Sequence, residues 1–89
     1  MGTSAASGGW WDRPVRVMIS NSTAYNVQTS ERAAEILLFN WPRDTGEKHL
    51  RARQAIVRAM EHPEDPGPTI AARRAFEAAA REAGILAER

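Results

Sequence analysis

Apolar and polar residues alternate from Val15 to Ser20. Val15, Val17 and Ile19 fall on one side of an extended chain, and Arg16, Met18 and Ser20 on the other. Pro14 suits the first residue of a strand, where a missing N–H matters least. Ser20 to Thr23 carries turn chemistry, and Tyr25 and Val27 alternate with Asn26 and Gln28 beyond it. The pattern predicts a β-hairpin. Trp11 is in phase with Val15 and Val17 and should face the core, whereas Trp10 shares the other face with Met18. A lone hairpin is marginal in water, so helices or further strands must cover it.

The period then changes. Thr29 or Ser30 can cap a helix, with Glu31 beside its positive end. Ala34, Leu37, Leu38 and Trp41 form its main apolar stripe, while Ile36 and Phe39 lie elsewhere on its circumference. Apolar residues on more than one face imply burial on two sides. Pro42 ends the helix, because the residue before proline avoids helical geometry.

Asp44-Thr45-Gly46-Glu47 resembles a capping box and opens a second helix, whose buried stripe should be Ala52, Ala55, Ile56, Ala59 and Met60, with His49 at its margin. His62-Pro63 closes it, and Pro63 to Pro68 reads as a stiff loop. A third helix is predicted from Thr69 to Ala83. Ala72, Ala75, Phe76, Ala79 and Ala83 share one face, and Arg74, Glu77 and Arg81 the opposite one. Gly84 supplies a left-handed stop, and Ile85 can fold back onto the last turn. The fold class is therefore α+β: one small domain with an N-terminal hairpin followed by three helices. It should run over 10–89, behind a disordered tail over 1–9 that holds three glycines and two serines. The inner face of the hairpin is expected on the first helix, with the second and third helices over that helix's other faces.

Size and charge narrow the function classes. An 89-residue chain has a thin stability margin, and 43% apolar residues suffice for a core. Twelve basic and eleven acidic residues leave a net charge of +1, which argues against a strongly basic nucleic-acid protein. Without cysteine there is no disulfide scaffold, thiolate metal site or cysteine nucleophile. No run of about eighteen apolar residues offers a membrane span. No secretion signal is evident, and Ala6 stands where myristoylation wants Ser or Thr, so the expected location is the cytoplasm.

Candidates for chemistry are few. His49 and His62 are thirteen residues apart, not the three or four of a helical zinc pair. Asp44, Glu47 and His49 are close in sequence, but capping accounts for the two acids. No glycine-rich phosphate loop and no calcium-loop spacing occurs. No catalytic residue, cofactor or metal ligand is assigned, and no enzyme activity is expected. Lys48, Arg51 and Arg58, with Arg43 and Arg53 nearby, form the best basic patch. Arg73, Arg74 and Arg81 are interleaved with Glu77 and Glu82 as in intrahelical ion pairing. Trp10, Met18, Ile36, Phe39, Leu50 and Val57 remain once the stripes are assigned. Of these, Trp10, Met18, Ile36 and Phe39 are the candidate partner surface.

Several of these residues also form a longer signature. Trp11 and Pro14-Val15 are followed by Leu37-Leu38-x-x-Trp41-Pro42, Gly46 and Ala52. The chain then closes with Ala72-Arg73-x-Ala75-Phe76-x-x-Ala79-x-x-Glu82-Ala83-Gly84-Ile85. The pattern resembles the bacterial family called domain of unknown function 982, common in soil and symbiotic alpha-proteobacteria, over about Trp10 to Leu86. This chain carries Ile56 where that family often has cysteine, and a longer proline-rich link before its last helix. The resemblance implies a hairpin-plus-helices domain and no established activity, cofactor or substrate.

The functional reading is a non-enzymatic protein-interaction module that binds a protein partner or itself, as a homo-oligomer, with no membrane association. The alternative is nucleic-acid binding through Lys48, Arg51 and Arg58. A small-ligand site near His49 and Trp41 ranks third.

Overall fold

A computed structural model of the chain describes residues 10–20, 22–42 and 46–87. The tail expected over 1–9, and Arg43, Asp44 and Thr45 of the expected basic patch and capping box, lie outside them. Strands β1 (Trp10–Ser20) and β2 (Thr23–Thr29) form the antiparallel hairpin. Helix α1 (Ser30–Glu35) runs directly into a π-helical segment, Ile36–Asn40. Helices α2 (Glu47–Glu61) and α3 (Pro66–Ala83) follow. The hairpin followed by three helices is the predicted fold.

Alternation builds the hairpin as expected: Trp11, Val15, Val17 and Val27 are buried on one face. Val15 pairs with Val27 and Val17 with Tyr25, but the register slips between the Trp10–Thr29 pair and Val15. Pro14 therefore lies inside β1, at the bulge, and does not begin the strand. A bulge is one of the few strand positions that tolerate a missing N–H.

Three local devices set the helix ends. The Thr29 hydroxyl accepts from the Arg32 N–H at 3.0 Å and caps α1. Asp65 caps α3 by accepting from the Gly67 N–H at 3.1 Å. Much of the expected loop is thus the first turn of α3. Pro66 and Pro68 fit there because first-turn N–H groups have no intrahelical partner. At the far end Gly84 is left-handed (φ 75°). Its N–H reaches the Arg81 carbonyl at 3.1 Å, while Ile85 N–H reaches Ala80 at 3.0 Å. This nested pair of bonds is a Schellman ending.

The end of the chain then returns to the sheet. Met18 N–H donates to the Ile85 carbonyl at 2.8 Å, and Ala87 N–H to the Arg16 carbonyl at 2.9 Å. Leu86 bridges Val17 in antiparallel sense and covers the edge of β1 that β2 leaves open.

Packing centres on α3, not on α1 as expected. Helices α2 and α3 form the most extensive helix pair, and α3 also meets β1 and α1. Ala52 and Ala59 on α2, and Ala72, Ala79 and Ala80 on α3, are buried with side chains small enough for close backbone approach. Phe76 fills the centre, with the Trp11 ring 5.6 Å and the Trp41 ring 5.7 Å from its own.

Candidate functional site

The residues proposed as one partner surface have separate fates. Ile36 is fully buried in the core and is not part of any surface. Leu38, assigned above to the core, is exposed instead. The two lie on opposite flanks of Leu37, and both flanks are apolar, so hydrophobicity alone could not choose between them. In the structure the Ile36 flank is the covered one. Phe39 is 79% exposed. Trp10 and Met18 are also exposed, but they stand eight residues apart on β1, roughly 20 Å or more. They do not form one patch.

Helix α2 is apolar on two opposite sides. Its inner side buries His49, Ala52, Ile56 and Ala59. Met60, expected among them, is exposed in the last turn, and His49, expected at the margin, is inside. On the outer side Leu50 (48%) and Val57 (53%) are half exposed, two turns apart on one stripe, with Met60 alongside. His49 holds this helix to the π segment: its Nε2 lies 3.1 Å from the Leu37 carbonyl oxygen and donates to it. The bond holds the Leu37 backbone against the first turn of α2.

Of the basic patch, Arg51 is engaged by Glu47 at 2.8 Å. Lys48 and Arg58 have no carboxylate partner among the described residues and stand ten residues, or about 15 Å, apart along α2. The structure thus spreads the patch along the helix. His49 and Trp41 do come together, with ring centroids 5.6 Å apart, but as packed rings inside the fold. Among the described residues, no group of three His, Asp or Glu side chains is placed to hold a metal ion. No helix there is long and apolar enough to cross a membrane.

A well-defined groove lies elsewhere. It encloses about 880 Å³ and runs between the start of β1 and the first turns of α3. Its apolar lining includes Trp10 and Ile70; its charged lining is Asp12, Arg13, Arg73 and Arg74. Arg73 fixes the wall, donating from Nε to the Arg13 carbonyl at 2.8 Å and from a terminal nitrogen to Glu77 at 3.3 Å. Arg13 and Arg74 are exposed and make no ion pair among the described residues. Sequence spacing could not assemble this groove, because Arg13 and Arg73 are sixty residues apart. Trp10, left off the inner face of the hairpin, was its local signal in the sequence.

The profile of the family described as "Protein of unknown function (DUF982)" matches residues 13–87. No curated protein and no solved structure matches the chain.

Proposed function

The chain belongs to the DUF982 family of proteins of unknown function, and from that premise we propose that it is a non-enzymatic protein-interaction module of the cytoplasm that self-associates through the outer face of α2. The carrying observation is that Leu50 and Val57 are half exposed on the side of α2 opposite Ala52 and Ala59. A solvated helix face is expected to be polar. The stripe is also self-complementary. A second copy laid antiparallel, with its two-fold axis between Arg53 and Gln54, sets each Leu50 on the other copy's Val57.

The alternative reading, nucleic-acid binding through Lys48, Arg51 and Arg58, has no comparable support, since Glu47 already occupies Arg51.

Sedimentation velocity over a concentration series tests the proposal. The wild-type coefficient should rise with concentration, and a Leu50→Glu, Val57→Glu variant should stay monomeric with its helical circular dichroism intact. A wild-type chain that remains a monomer at the highest concentrations reached would refute it.

A further inference from the structure

We propose a second binding site, independent of the α2 face: the groove between β1 and α3 binds an extended acidic peptide that carries a large apolar side chain. Its two walls supply complementary chemistry. On the strand side Trp10 is half exposed and Arg13 leaves the bulge; on the helix side Ile70 is half exposed and Arg74 stands one turn further on. The indole and Ile70 offer an apolar slot to one anchoring side chain. Arg13 and Arg74 lack internal carboxylate partners among the described residues, and each presents a guanidinium fork that fits a carboxylate in two parallel hydrogen bonds. Arg73 is committed to the Arg13 carbonyl and Glu77, so it holds the two walls together and leaves ligand capture to its neighbours. With Arg73 neutralised by Glu77, the two remaining arginines against the single carboxylate of Asp12 still make the lining cationic.

Asp12 also selects the kind of polyanion. A nucleic-acid strand carries a charge at every unit and must pass Asp12 with one of them, whereas a peptide can set a neutral residue there. Single strands also seek successive aromatic platforms, and this groove offers one exposed indole opposite an aliphatic wall.

The test uses the full chain and fluorescence anisotropy of a labelled synthetic peptide with leucine flanked on both sides by paired glutamates. Three comparison probes are the same peptide with lysine for glutamate, with serine for leucine, and a labelled oligothymidylate. The acidic peptide should bind saturably, and more weakly as salt rises. Arg13→Glu and Arg74→Glu should each weaken it roughly tenfold or more, as expected for loss of a charge-assisted pair. The milder Arg74→Ala should weaken it less, and serine for leucine should reduce binding in the wild type. A Leu50→Glu, Val57→Glu variant should bind the peptide unchanged, which separates this site from self-association. The proposal is overturned by absence of saturable binding at low salt. It is equally overturned by affinity indifferent to Arg13→Glu and Arg74→Glu in folded variants, by preference for oligothymidylate, or by loss of binding in the α2-face variant.

Discussion

His49 donates from Nε2 to the Leu37 carbonyl oxygen at 3.1 Å and so ties α2 to the π-helical end of the first helix. Both partners are buried, and the Trp41 ring packs over the imidazole. A π-helical turn disturbs the regular i→i+4 bonding of a helix, and here a side chain twelve residues away serves the carbonyl it exposes. The bond fixes where the first helix ends relative to α2, and with it the setting of Leu38 and Phe39.

His49→Leu should therefore destabilise the fold by about 1–3 kcal/mol, because it strands a buried carbonyl. His49→Gln keeps an N–H donor and should recover part of that loss. Urea unfolding at constant m-value measures both. A His49→Leu protein as stable as wild type would mean that water reaches Leu37 without cost.

Trp11 and Ser30 form a second buried polar link, indole Nε1–H to hydroxyl at 3.2 Å. Trp11→Phe keeps most of the ring packing on Phe76 and removes the donor. A cycle of Trp11→Phe, Ser30→Ala and the double variant should give a coupling of about 1 kcal/mol. Strictly additive losses would show that the contact contributes nothing beyond packing.

The same residues mark what the sequence can and cannot convey. Period-two alternation placed Trp11, Val15 and Val17 inside, and the Gly84-Ile85 ending was legible because only a left-handed residue with a following apolar one closes a helix that way. The choice between Ile36 and Leu38, and between His49 and Met60, was not legible. Ile36 and Leu38 flank one stripe, whereas His49 and Met60 lie on nearly the same side of α2 about three turns apart, and only the tertiary neighbours decide which of each pair is covered. The return of Leu86 to Val17 and the meeting of Arg73 with Arg13 join distant positions. No local pattern encodes them, so the groove that Arg13 and Arg73 help to shape was hidden as well.

Arg73 and Arg81 both approach Glu77, yet they should behave differently on truncation. The Arg73 side chain is 16% exposed and bonds a backbone carbonyl of β1 as well as Glu77. Arg81 is 64% exposed and 3.8 Å from the same carboxylate. Arg73→Ala should cost about 1–3 kcal/mol, most of it from the strand–helix link. Arg81→Ala should leave the urea midpoint unresolved from wild type, as exposed ion pairs usually do. Equal losses at the two sites would assign the effect to Glu77 and not to Arg13.

Gly46 and Gly84 both have positive φ, but alanine should be tolerated unequally. Gly84 sits in the left-handed helical region (φ 75°, ψ 20°), and a Cβ there would meet nothing within 4 Å. Gly84→Ala should cost about 1–2 kcal/mol, the ordinary penalty of that conformation, and Gly84→Asn less. Gly46 begins α2 at φ 109° and ψ 143°, a region that side chains other than glycine's rarely enter. A Cβ there would also lie 2.8 Å from Glu82 Oε1. The carboxylate is the free end of a flexible side chain and can move aside, so the backbone carries the penalty. Gly46→Ala should therefore lose more than Gly84→Ala, up to about 3 kcal/mol, and a Glu82→Ala background should restore little of it. Full rescue by Glu82→Ala, read from paired thermal melts, would show that crowding and not chain geometry requires glycine at this helix start.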